Sequence, residues 1–233
     1  MQINLCRKRL HDIHEAFLSF IIGLMKLQAA FDGDLHQCLS LLQKIHPYLD
    51  IAEIGTPLIY REGMSAVRQV RNQYPDLLIL ADLKIMDAGE EEAAIAFEAG
   101  SDIVTVLGLT QMTTLEGALN AARRFGKQIM VDMMQVNDLL PRTKMLLDLG
   151  CHYLCVHTAY DVHSTTHTSP VGDLELLRRT FPNAPFAVAG GIGLNQLDDL
   201  TALKPEIIII GGAITNAPDP VRVAQTIRER MNT

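Results

Sequence analysis

The 233-residue chain is expected to fold as a (β/α)8 TIM barrel of the α/β class, and three observations carry that expectation. From Lys26 onward, short apolar runs alternate with longer amphipathic stretches, and eight such units can be counted. No long linker interrupts them. Ionisable residues collect where the apolar runs end. Alternation on this scale implies a parallel sheet, and eight regular units favour closure into a barrel over an open, doubly wound sheet.

The strands are expected to end near Asp32, Glu53, Asp82, Thr105, Asp132, His157, Ala189 and Ile210. Helical periodicity fills the intervals 34–46, 58–73, 88–99, 112–125, 137–149, 173–180, 194–203 and 219–230. Gly100 and Gly150 supply helix stops before the fourth and sixth strands. Residues 25–233 are thus assigned to one barrel domain, and residues 1–24 to an extension. Arg7-Lys8-Arg9 followed by an apolar run from Ala16 to Leu24 imitates a signal peptide, but cleavage after Ala30 would remove a strand. The run is far below transmembrane length, and His11, Asp12, His14 and Glu15 interrupt its approach. The extension is either an appended helix or the product of a start codon upstream of the true one; the sequence leaves both open.

Composition narrows the function. With 48% hydrophobic and 20% charged residues, the chain suits one soluble globular domain with a substantial core. The net charge is −7 and the basic residues are scattered, which argues against a nucleic-acid partner. Cys6 and Cys38 are isolated, and Cys151 and Cys155 on one strand would stand roughly 13 Å apart, too far for a disulfide. Reduced, buried thiols in a cytoplasmic protein are the expected state.

The most informative stretch is Leu80-Ala81-Asp82-Leu83-Lys84-Ile85-Met86-Asp87-Ala88-Gly89, where an apolar run gives way to a helix. On a strand with a side-chain period of two, Asp82 and Lys84 share a face and can meet one small substrate. An isolated pair of this kind is usually a solvated salt bridge. Here Asp32, Glu53, Asp82, Lys84, Asp132 and His157 all fall at strand ends, the end of a barrel where catalytic groups gather. Glu53 and Asp82, with Asp132 as a third candidate, offer hard carboxylate oxygens suited to Mg2+ or Mn2+. Lys84 among carboxylates should stay charged, as an electrostatic stabiliser or proton donor. His157 is the natural general base.

Gly190 and Gly191 follow the seventh strand, and Gly211 and Gly212 the eighth. Loops at those two places are the recurrent phosphate cradle of barrels, where glycine lets backbone N–H groups approach the oxygens. A small anionic substrate would be held there. His163 and His167, in the Ser/Thr-rich segment 163–170, read as a solvated loop, since no cysteine or acid accompanies them at zinc spacing. The methionines, Met133 and Met134 included, read as core or rim fillers.

Taken as ordered blocks, these residues resemble the orotidine-phosphate decarboxylase superfamily over about 25–230, and within it the 3-hexulose-6-phosphate synthases. The blocks are Gln28-x-Ala30-x-Asp32, Glu53-Ile54-Gly55-Thr56-Pro57, Ala81 through Gly89, Asp102-Ile103-Val104-Thr105-Val106-Leu107-Gly108, Val131-Asp132-Met133, Val156-His157-Thr158-x-Tyr160-Asp161, Ala187-Val188-Ala189-Gly190-Gly191-Ile192 and Gly211-Gly212-Ala213-Ile214-Thr215. The resemblance implies an Mg2+-assisted aldol condensation of D-ribulose 5-phosphate with formaldehyde to D-arabino-hex-3-ulose 6-phosphate, the formaldehyde-fixing step of the ribulose monophosphate pathway. It implies Asp32, Lys84, Asp87 and His157 as catalytic residues, and a homodimer in which Asp87 crosses into the partner's site. The alternative within the superfamily is 3-keto-L-gulonate-6-phosphate decarboxylase. That family carries an arginine three positions after the sixth-strand histidine and another after the eighth-strand glycine, where this chain has Tyr160 and Gly212. Ala159, where glycine is common in the synthases, and the longer His-rich loop depart from the synthase pattern. A third reading is a catalytically silent barrel that binds a sugar phosphate.

Overall fold

In the computed structural model, residues 25–162 and 169–232 are described. Eight strands run parallel and close in sequence order, with β8 pairing back onto β1. They are β1 (Lys26–Phe31), β2 (Ile51–Ile54), β3 (Leu78–Ile85), β4 (Ile103–Leu107), β5 (Gln128–Asp132), β6 (Tyr153–His157), β7 (Phe186–Ala189) and β8 (Ile207–Ile210). The helices between and after them are α1 (Leu35–Ile45), α2 (Thr56–Glu62), α3 (Ser65–Gln73), α4 (Gly89–Glu98), α5 (Met112–Phe125), α6 (Leu139–Leu149), α7 (Val171–Thr180), α8 (Leu197–Ala202), α9 (Gly212–Thr215) and α10 (Pro220–Met231).

The expected barrel is therefore the observed fold, and β5 to β8 end at the residues the sequence marks. Two helical details differ. The stretch read as one helix over 58–73 is broken at Gly63, whose φ of +58° ends α2 before α3 begins. A single turn, α9, follows β8 directly and is too short to leave a periodic signature.

Strand sequences are apolar at successive positions because both faces of the sheet are covered. In β8, Ile207 and Ile209 point into the barrel beside Ile51, Leu80, Ile103 and Met130. Ile208 and Ile210 face the helical ring. Parity thus sends Gln28, Glu53, Asp82, Thr105, Asp132 and His157 inward or toward the mouth, stacked over this apolar layer.

At the opposite end, the foot of the barrel, two aspartates tie strands to helices. The Asp50 carboxylate, just before β2, accepts the N–H of Leu27 at 2.7 Å and the guanidinium of Arg228 on α10. Asp102, just before β4, accepts the N–H of Ile79 at 2.9 Å, the Lys127 amine at 2.6 Å and the guanidinium of Arg71 on α3. Cys38, Cys151 and Cys155 are free and buried, as expected, and Cys6 lies outside the described residues.

Candidate active site

The mouth is organised around β3, which is not a regular strand. Its ladder with β4 runs Leu80 to Ile103 and Ala81 to Val104, then jumps to Ile85 opposite Val106. Four steps along β3 match two along β4, so two extra residues bulge toward the mouth. Lys84 has a φ of +49° within this bulge. Asp82 and Lys84 do meet, with Nζ donating to Oδ2 at 2.5 Å, but across a bulge rather than the plain period-two face the sequence suggests.

Asp82 is only 5% exposed and is held from three sides. Thr105 Oγ1 donates to Oδ1 at 2.8 Å. The Thr56 hydroxyl lies 2.7 Å from both Oδ2 and the Asp82 carbonyl oxygen, so its single proton serves one or the other. Burial alone would favour neutral Lys84, but the charges of Asp82, Asp132 and Glu53 outweigh it and hold the amine above its ordinary range. Lys84 is a fixed positive charge at any physiological pH.

Asp132 and His157 form the second unit. Asp132, 3% exposed, accepts from the backbone N–H of Met134 at 3.0 Å through Oδ1, and its Oδ2 lies 2.8 Å from His157 Nδ1. Lys84 Nζ stands 3.8 Å from the same Oδ2. Burial would raise the Asp132 carboxyl, but the His157 hydrogen bond and the nearby positive charges bring it below the usual range. An ionised Asp132 accepts, so Nδ1 of His157 carries a proton, and in the neutral tautomer so fixed the lone pair of Nε2 is the one left for chemistry.

Glu53, 8% exposed, accepts from Gln28 Nε2 at 2.6 Å. Burial and the charge of Asp82 push its carboxyl up to about 8, against the pull of the Gln28 hydrogen bond and Lys84. Asp32 lies one residue past β1. The residue reaches solvent, yet its carboxyl lies against Gly55, where a Cβ would sit 2.0 Å from Oδ1. Partial burial and Asp82 raise the Asp32 carboxyl, while Lys84 and Arg61 oppose the shift. Arg61 also donates to the carbonyls of Asp32 at 2.7 Å and Gly33 at 3.0 Å, fixing the loop that carries this acid.

Asp87 stands apart from this network. It is exposed, accepts the N–H of Ala88 at 2.8 Å, and borders an outward-facing hollow with Glu90, Glu91, Thr113 and Gly117 at the start of α4 and α5. Among the described residues, no three His, Cys, Asp or Glu side chains converge so as to hold a metal unaided.

The glycines after β7 and β8 differ in kind. Gly190 has a φ of +102°, and a Cβ there would lie 2.1 Å from the Thr158 carbonyl oxygen; Gly191 has a φ of +65°. Gly211 has a φ of −98°, and its Cβ would find nothing nearer than Ala30 at 3.7 Å, so crowding does not demand glycine there. His163 and His167, like residues 1–24, lie outside the described residues. Sequence reasoning did not single out Gln28, Thr56 and Thr105 as site residues. Each is a neutral polar side chain that touches a carboxylate of the site; for Gln28 and Thr105 a polar residue on the inward parity of a barrel strand was the available signal, whereas Thr56 opens α2 and carried none.

The model of the orotidine 5'-phosphate decarboxylase / HUMPS family matches residues 25–227, which include every strand of the barrel and every charged group at its mouth. The chain belongs to this family. It is an enzyme of the lyase class. Over 206 residues it is 41% identical to the 3-hexulose-6-phosphate synthase of Bacillus subtilis, covering 88% of this chain and 98% of that one. The crystal structure of 3-hexulose-6-phosphate synthase from Salmonella typhimurium superposes with a TM-score of 0.87 at 39% identity, covering 89% of this chain and 99% of the other. The 3-keto-L-gulonate-6-phosphate decarboxylase of Vibrio cholerae superposes with a TM-score of 0.80 at 25% identity, covering 90% and 98%.

Proposed function

We propose that the protein condenses D-ribulose 5-phosphate with formaldehyde to give D-arabino-hex-3-ulose 6-phosphate, with the help of Mg2+ or Mn2+. The observation that carries this reading is the His157 imidazole, its Nδ1 2.8 Å from Asp132 Oδ2, with the charged amine of Lys84 3.8 Å from the same oxygen. That pair suits removal of a proton from a carbon next to a ketone. The residues also fit a hard divalent ion. Glu53 and Asp82 stand on neighbouring strands, and their repulsion helps push Glu53 up to about 8, a strain that a cation would relieve. Two carboxylates suffice when waters and substrate oxygens complete the shell. When bound, the ion supplies a Lewis acid for charge that develops on the substrate oxygens.

The chain's own residues account for the proton traffic. His157 Nε2 takes a proton from C1 of the ketopentose phosphate, and Lys84 steadies the enediolate charge. The C1 carbanion bonds to the formaldehyde carbon as the C=O π bond becomes an alkoxide. The imidazolium returns its proton to that oxygen, so none is gained or lost overall. The phosphate is assigned to the loops carrying Gly190, Gly191, Gly211 and Gly212. Tyr160 and Gly212, in place of two arginines, favour the synthase over the decarboxylase. A homodimer is part of the proposal. Asp87, outside its own chain's network and next to exposed Met86 in the chain, is assigned to the partner's site. Free buried thiols suit a cytoplasmic setting.

The test is to incubate purified protein with ribulose 5-phosphate, formaldehyde and Mg2+, and to follow formaldehyde loss and hexulose phosphate gain. Release of CO2 from 3-keto-L-gulonate 6-phosphate without aldehyde fixation would favour the decarboxylase instead. Full synthase activity after verified metal removal would sink the metal assignment.

A further inference from the structure

The middle of β4 contributes an uncharged polar group to the mouth. There Thr105, 4% exposed, lies opposite the gap that the β3 bulge leaves in the sheet. Its hydroxyl makes two bonds of opposite sense. Oγ1 accepts the backbone N–H of Lys84 at 2.8 Å and donates its proton to Asp82 Oδ1 at 2.8 Å. One lone pair and one proton are therefore committed to the two residues whose side chains meet at the mouth.

We propose that Thr105 is a positioning residue, whose hydroxyl pins the β3 bulge and thereby sets the Asp82–Lys84 pair in register for catalysis. The proposal rests on the synthase reading for its kinetic arm only.

Three physical points support it. A non-glycine residue at φ +49° adopts a conformation that needs outside support, and the Thr105 bond to the Lys84 N–H supplies it at that very residue. The N–H lies where the β3–β4 ladder has lost register, so a strand partner is replaced by a side chain. The site is nearly closed to water, which leaves a lost hydroxyl without a ready substitute. Valine matches threonine in shape but can neither accept nor donate; serine keeps the hydroxyl and drops the methyl.

The experiment compares the native enzyme, Thr105→Val and Thr105→Ser in two measurements. The first is hydrogen exchange at the Lys84 amide, which needs no substrate. Thr105→Val should speed it by tenfold or more on the order of one lost bond, and Thr105→Ser should leave it close to native. The second is steady-state kinetics with ribulose 5-phosphate, formaldehyde and Mg2+. Thr105→Val should lower kcat by about 10- to 100-fold, as small misplacements of catalytic groups do, with KM within about threefold, and Thr105→Ser should restore most of kcat. Thermal unfolding checks that the valine variant stays folded. Native exchange at Lys84 in Thr105→Val would overturn the pinning. Faster exchange with native kcat would overturn its catalytic value, and serine failing as badly as valine would assign the effect to packing. A native enzyme inactive on these substrates would overturn the synthase reading, while the exchange measurement still decides whether Thr105 holds the bulge.

Discussion

Replacing Asp132 by asparagine should disable the base while leaving the barrel intact, and the geometry says by how much. Asp132 Oδ1 accepts the Met134 N–H at 3.0 Å, so the asparagine must keep its carbonyl oxygen on that side. Its NH2 group then faces His157 Nδ1, 2.8 Å away, where the carboxylate stood. An NH2 donates, so Nδ1 must accept and the imidazole proton moves to Nε2, the atom required to be bare. Lys84, 3.8 Å from the former Oδ2, also loses a counter-charge. The same tautomer reversal in catalytic triads costs about 10⁴-fold in turnover, which at about 1.36 kcal/mol per decade is roughly 5 kcal/mol of barrier. A loss of 10³- to 10⁴-fold in kcat is therefore expected. The base step can be isolated by incubating enzyme and ribulose 5-phosphate in D2O without aldehyde and timing deuterium entry at C1 by NMR. Exchange and turnover within tenfold of native would refute the orienting role. A parallel Mn2+ titration separates the sequence-based alternative, since a collapse of metal affinity would make Asp132 a ligand.

Three other outcomes are expected. Because Glu53 is pushed up to about 8 from 4.5, the folded metal-free chain keeps a proton that the unfolded chain has lost, so this group's contribution makes stability fall as pH rises between those values. Glu53→Gln should flatten that fall; a variant whose Tm tracks the native curve from pH 5 to 8 would contradict the shift. Gly190→Ala should cost several degrees of Tm or prevent folding, since a Cβ would meet Thr158 at 2.1 Å, whereas Gly211→Ala should fold normally and report through KM whether backbone at β8 approaches phosphate. Equal tolerance at both positions would contradict the difference in their geometry. Finally, mixing inactive Asp87→Ala and His157→Ala subunits after exchange should revive about a quarter of the sites, because half the dimers carry one complete site. No recovery in mixed dimers would remove Asp87 from the partner's site.

The barrel and its charged mouth were readable because eight apolar runs recur and five of them stop near an ionisable residue: Asp32, Glu53, Asp82, Asp132 and His157. Glu53, Asp82, Lys84, Asp132 and His157 do come together in one network. What stayed hidden depends on pairing between strands. Asp82-Leu83-Lys84 reads as simple alternation whether or not a bulge lies there, and only the shift against Val104 and Val106 reveals the latter. Beyond inward parity, Gln28 and Thr105 carry no sequence signal of their role, because nothing in their own strands shows which neighbour each faces. The break at Gly63 was missed for a different reason, since the amphipathic period resumes in α3 and masks a two-residue interruption at Gly63 and Met64.

The aspartates at the foot suggest how this molecule could be remade. Asp50 and Asp102 each fasten the start of a neighbouring strand to a helical arginine at the end farthest from the reacting carbon. Two seams of the cylinder, β1 to β2 and β3 to β4, are thus tied by residues at the end away from the mouth. A designer could transplant new loops after the eight strands, or strip the mouth of its charges, and still expect a chain that refolds. The same separation gives evolution room to test new chemistry on a scaffold whose seams are fastened elsewhere.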